Sequence, residues 1–226
     1  MIFNMAGWGG GSSKVGVAVN GAVNEIISYS GASAGSIQLN ANGRGSINGL
    51  PAGVYTFTGS ISGYSKTVTI DKNTRVINVY PDGALFWYGN GDAMGDGLYA
   101  IGNKFVGNNG YYPSGTSVGK TMALTVASED NAIVLSGSNN EKDVRVHGSF
   151  HLDREINLAG YSTIRVVGEG IGDVYAAQSL SANFQSNGNA AMGDASIAIA
   201  PYLVVFYSAY GSWLAMNATI KAIWLE

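Results

Sequence analysis

Two histidines, His147 and His151, stand four residues apart, with Asp153 and Glu155 close behind. Imidazoles and carboxylates at that spacing suit a metal, because positions i and i+4 share a face on a helix and on a strand alike. They flank Gly148-Ser149 in a strand-like stretch, and the simpler expectation is a pair of exposed polar strand residues. The run Gly-Asn-Gly-Asp-Ala-Met-Gly-Asp-Gly sets Asp92 and Asp96 among glycines. Carbonyls and carboxylates in such a loop suit calcium. The spacing is not that of an EF-hand, and an ordinary loop is expected. Gly115-Thr116-Ser117-Val118-Gly119-Lys120-Thr121 has three residues between its glycines, where a phosphate-binding loop has four. Gly89-x-Gly91 and Gly168-x-Gly170 lack the third glycine of a dinucleotide fingerprint. All of these read as turns. No cofactor and no metal is assigned. Two histidines, and no carboxylate pair in a context that would shift its pKa, give no catalytic constellation, so no enzyme is expected.

Aromatic side chains are the remaining chemistry. Tyrosine occurs 13 times. Tyr and Trp join a flat apolar face to a polar edge, which suits sugar rings and protein partners. Tyr111-Tyr112-Pro113 sits in a Gly/Asn-rich loop, and Tyr210-Gly211-Ser212-Trp213 reads as a hairpin turn. Tyr111, Tyr112, Tyr210 and Trp213 are therefore the candidate ligand-binding residues. Core packing is the competing role, above all for Trp87, Trp213 and Trp224.

Composition narrows the partners. Charged residues are only 12% of the 226, about half the usual ~25%, and the formal net charge is −3. No Lys/Arg cluster exists to track phosphates, so nucleic acid is not an expected partner. Binding to an anionic polymer lacks its main driving force for the same reason. A neutral or weakly charged glycan is the ligand class that remains. Cysteine is absent, which excludes disulfides. The start, MIFNMAGWGGGSS, has neither the basic segment nor the apolar segment of a signal peptide. The longest apolar run, around Ile197 to Tyr207, is interrupted by Pro201 and is about half of what a membrane helix needs. No membrane insertion is expected.

These residues must be positioned by strands. The 33 glycines lie mostly beside Asn, Ser or Asp, which is turn chemistry. Between them run short Val/Ile/Thr/Tyr segments, and no long segment has 3.6-residue apolar spacing. Residues 1–13 read as a Gly-rich arm, with Ile2, Phe3, Met5 and Trp8 too apolar for an idle linker. Residues 14–82 hold roughly seven short alternating runs, the density of a small antiparallel sandwich. Pro81-Asp82-Gly83 is a turn and the expected boundary. Residues 83–226 carry further strands, among them Leu98–Ile101, Lys104–Val106, Thr121–Ala127, Glu155–Leu158, Ser181–Phe184 and Ala218–Leu225. In the last of these, Ile220, Ala222 and Trp224 are expected on one face, and Thr219, Lys221, Ile223 and Leu225 on the other.

Several phrases resemble known families. Leu50-Pro51-Ala52-Gly53-Val54-Tyr55 followed by Ser62-Gly63-Tyr64 resembles the carboxypeptidase-regulatory type of Ig-like module. Glu155-Ile156-Asn157-Leu158-Ala159-Gly160-Tyr161-Ser162-Thr163-Ile164-Arg165-Val166 is similar to a stretch of jelly-roll modules found in carbohydrate-binding modules and phage tail proteins. Ala84-Leu85-Phe86-Trp87-Tyr88-Gly89-Asn90, with the Gly-rich start, resembles small structural proteins in tail regions of phages that infect Gram-positive hosts. The resemblance implies an all-β chain, an Ig-like small β-sandwich followed by a jelly-roll-like β-sandwich. It implies a virion structural protein (tail, fibre, baseplate or head decoration), assembled in the host cytoplasm and contributing to host-surface binding. The arm would then attach to other virion proteins. A host cell-wall glycan would be the ligand, and a homo-oligomer, with a trimer favoured, the assembled form. A stand-alone carbohydrate-binding protein with no particle-building role is the alternative.

Overall fold

The computed structural model describes residues 14–90, 105–108, 123–138, 144–152, 155–156, 158, 160–179, 186–211 and 215–226. The described residues are strands and turns, with no helix. The chain divides into two compact units between Val79 and Tyr80.

In the first unit the strands are β1 (Lys14–Asn20), β2 (Ile26–Gly31), β3 (Gly35–Gln38), β4 (Arg44–Pro51), β5 (Gly53–Gly59), β6 (Ser65–Ile70) and β7 (Val76–Asn78). They form two sheets, β4-β1-β7 and β3-β2-β5-β6. Alternation in β1 buries Val15, Val17 and Val19 and turns Lys14, Gly16 and Ala18 outward. Those valines pack with Ile27, Leu39, Ile47, Leu50, Tyr55, Phe57, Ile70 and Ile77 in one core. The Leu-Pro-Ala-Gly-Val-Tyr phrase has a physical reason. Tyr55 is fully buried, and its hydroxyl donates to the Pro51 carbonyl at 3.0 Å, closing the turn that feeds β5.

A buried carboxylate holds the top of this unit. Glu25 is fully buried. One oxygen accepts the amides of Ile61 (3.0 Å) and Ser62 (2.8 Å) and the Ser62 hydroxyl (2.8 Å); the other accepts the Ala22 amide at 3.0 Å. A Cβ at Gly59 would lie 2.1 Å from the Glu25 Oε1, so glycine is needed to admit that side chain.

The second unit has β8 (Ala84–Trp87), β9 (Phe105–Asn108), β10 (Ala123–Glu129), β11 (Ala132–Ser138), β12 (Val144–Leu152), β13 (Thr163–Gly170), β14 (Asp173–Ala177), β15 (Ser186–Ala191), β16 (Asp194–Ala198), β17 (Tyr202–Gly211) and β18 (Ala215–Leu225). One sheet runs β10-β11-β18-β13-β16, with β8 also paired to β18; the other runs β15-β14-β17-β12-β9. The core between them takes Phe86, Leu135, Ile164, Val166, Ile220 and Ile223 from the first sheet, and Phe150, Val174, Leu203 and Val205 from the second. Asp130 and Asn131, both at positive φ, make the tight turn from β10 to β11; Asx side chains tolerate that region best.

Three strand expectations need correction or placement. Glu155–Leu158 is not a strand at its described positions. The Ile156 amide donates to the Pro201 carbonyl at 2.8 Å, but proline has no N–H to return the bond, so no ladder forms there. Leu98–Ile101 and Ser181–Phe184 lie outside the described residues. The faces of β18 also differ from simple alternation. Against β13, Ala222 pairs with Val167 and Ile220 with Gly168, leaving Lys221 as an extra residue, a β-bulge. Ala218 and Ile220 face the core before the bulge, and Ile223 and Leu225 after it. Ile220 and Trp224 therefore point to opposite faces, not to one.

Candidate functional site

The bulge at Lys221 decides what lies on the outer face of the first sheet. It turns Trp224 away from the core. A second bulge does the same on the neighbouring strand. Against β18, Phe86 pairs with Ile223 and Ala84 with Trp224, so Leu85 is the extra residue. Leu85 and Phe86 both enter the core, and Trp87 joins Trp224 on the outer face.

The result is an aromatic and ionic strip across four strands, β8, β18, β13 and β16. Trp87 meets Trp224 edge to face, with centroids 5.9 Å apart at 74°. Tyr88 meets Trp87 the same way at 5.2 Å and 75°. Tyr88 sits at φ 41° in the turn after β8, and its amide donates to the Lys221 carbonyl at 2.8 Å, so the bulge also fixes this ring's backbone. On the other side, Arg165 of β13 stands directly opposite Trp224, and its guanidinium carbon lies 5.4 Å from the indole centroid. Arg165 Nη2 donates to Asp194 Oδ1 on β16. The Trp224 Nε1–H donates to Glu226 Oε1 at 2.9 Å. Three residues earlier on β18, Lys221 pairs with Glu169 at 3.3 Å. Trp87 is buried, Trp224, Tyr88 and Arg165 are half-buried, and Asp194 and Glu226 are exposed.

This geometry suits the binding of a flat ligand. A half-buried indole with its N–H already engaged presents apolar surface to a flat ligand, and exposed carboxylates beside it accept hydrogen bonds from hydroxyls. Among the described residues no group of His, Asp and Glu side chains could hold a metal ion.

On the outer face of the other sheet one described row is buried. His151 of β12, Val204 of β17 and Tyr175 of β14 lie in one cross-strand row, and all three are buried. His151 is therefore not the exposed polar residue expected from the sequence; its row is covered on the side away from the core. Burial, and secondarily Asp173, raises the Tyr175 pKa above the ordinary 10.0.

Of the ligand candidates read from sequence, Tyr111, Tyr112 and Trp213 lie outside the described residues, as do Ile2, Phe3, Met5, Trp8, Asp92 and Asp96. Tyr210 is in β17, opposite Arg145, not in the following turn. Sequence reasoning passed over Arg165 and Asp194 and weighed Trp87 and Trp224 as core residues. The available signal was Lys221, a charge set between apolar neighbours where strict alternation has no reason to change face.

No protein-family model and no curated protein matches this sequence. A solved structure described as "Structural basis for the promiscuous specificity of the carbohydrate-binding modules from the beta-sandwich super family" is similar over 95% of this chain and 92% of that chain, at 10% identity and a TM-score of 0.36. A TM-score of that size does not establish a shared fold.

Proposed function

We propose that this chain is a non-catalytic structural component of a tailed-phage particle, and that its second sandwich binds a glycan of the host surface through the Trp87–Trp224–Arg165 strip. One observation carries the binding half. Trp224 is turned out of the core by a bulge and held on a sheet face by Trp87, Arg165 and Glu226, half-exposed. Preorganised aromatic surface of this kind binds sugar rings without the entropic cost of ordering a loop. The particle half rests on the sequence resemblances and the low charge. In this reading residues 1–13 attach to neighbouring virion proteins through Ile2, Phe3, Met5 and Trp8, copies associate as a trimer, and Tyr111, Tyr112, Tyr210 and Trp213 extend the contact.

The test is adsorption of the full chain and of Trp224→Ala to host cell walls. Losing a stacked aromatic costs about 1–3 kcal/mol by analogy with base stacking, roughly a ten- to hundredfold loss of affinity. Unchanged adsorption of Trp224→Ala overturns the site. Peptide mass spectrometry of purified particles tests the other half, and absence of the chain from every particle overturns it.

A further inference from the structure

We infer that Asp194 sets the ligand class of the strip, by occupying Arg165 and so confining binding to glycans without carboxylate or phosphate groups; this rests on the glycan reading above.

Arg165 lies over the half-buried indole, 5.4 Å from its centroid, and its fork would otherwise receive an acidic sugar bidentately. Asp194 already takes one donor of that fork, Nη2, and places its own negative charge beside it. Arg165 Nε is buried and makes no hydrogen bond among the described residues, so it offers nothing to an incoming anion. Glu226 adds a second carboxylate on the indole N–H, and Lys221 is held by Glu169. The ion pairs and hydrogen bond of this face join two cations, Arg165 and Lys221, with three carboxylates, Glu169, Asp194 and Glu226. An acidic sugar meets net repulsion. A neutral sugar stacks on the indole and donates hydroxyls to the exposed carboxylates. Ser196, directly opposite Arg165 on β16, adds a neutral hydroxyl to the same row.

The experiment is an array of neutral glycans with their uronic-acid and phosphorylated counterparts, probed with the full chain and four variants. The parent is expected to bind neutral members only. Asp194→Asn frees Arg165 and should raise binding to acidic members at least tenfold, in a salt-sensitive manner. Adding Arg165→Gln to it should remove that gain. Ser196→Lys leaves the ion pair intact, adds positive charge beside it and should give a smaller gain. Acidic members bound best by the parent, or no gain in either Asp194→Asn or Ser196→Lys, overturns the role of Asp194 while leaving the site. Neutral binding unchanged in Trp224→Ala, or no binding to any member, overturns the site itself.

Discussion

Arg165 and Trp224 are direct cross-strand partners on β13 and β18, and the guanidinium lies 5.4 Å from the indole centroid. The pair serves the sheet as well as any ligand. A cation over an indole at a partly exposed site stabilises by about 0.5–1 kcal/mol. The ion pair to exposed Asp194 adds little, because water screens it. Arg165→Met keeps the aliphatic packing and removes the charge. It should cost about 1 kcal/mol in urea denaturation. A loss of several kcal/mol would mean that Arg165 is a structural keystone and not a component of a tunable surface.

Glu25 should matter far more. Its carboxylate accepts three backbone amides and a hydroxyl; the bond from Ala22 is buried and those from Ile61 and Ser62 are part-buried. Glu25→Ala leaves those donors unpaired and opens a cavity. A buried donor left unpaired costs about 1–3 kcal/mol and part-buried ones cost less, so with the cavity a total of about 2–4 kcal/mol is expected. Glu25→Gln keeps acceptors for some of them and should fall between parent and Ala. Equal stability of Glu25→Ala and parent would show that the Gly59–Ser62 turn is held by other means.

The relation between these sites and the sequence is uneven. The first unit was legible because its strands alternate cleanly: Val15-Gly16-Val17-Ala18-Val19 declares its buried face without help from any neighbour. Tyr55 and Phe57 were readable on one face for the same reason. Glu25 was not, because a carboxylate in a short run looks like a solvated residue until the Gly59–Ser62 turn supplies its donors from over thirty residues away. The strip in the second unit was hidden by two bulges. Each changes the face of every residue beyond it, and a bulge is set by partner strands that a local pattern does not contain. β8 was hidden differently. Ala84-Leu85-Phe86-Trp87 is apolar throughout and has no period to read.

Tyr175 makes stability depend on alkaline pH. Its pKa is raised, first by burial and then by Asp173. A raised folded value means the neutral phenol is the form the fold favours. Its contribution is complete below the ordinary 10.0 and is lost as the pH rises through the folded value. Above about pH 10 the parent should lose stability more steeply than Tyr175→Phe, which has no proton to lose. Parallel urea midpoints for the two proteins over that range would rule out Tyr175 as the group responsible.

Self-association is expected from the first unit's larger sheet. Its outer face carries Gln38, Ser36, Ile26, Ser28, Ser30, Val54, Thr56, Thr58, Ser65, Thr67 and Thr69. None is charged. Thr56 bonds Thr67 at 3.0 Å and Thr58 bonds Ser65 at 2.8 Å, so hydroxyls are paired across strands, and Val54 and Ile26 stand exposed among them. The edge strands β3 and β6 place no charge on this face, and edge charges are a common device against pairing with another copy. Closed cyclic symmetry is the usual outcome for identical chains. Sedimentation of the full chain at micromolar concentration should therefore report an oligomer, with a trimer expected. Val54→Lys sets a charge in the centre of the face without touching the core, and should shift the population toward monomer. A parent that sediments as a monomer defeats the expectation outright. An oligomer indifferent to Val54→Lys places the contact on another surface of the chain.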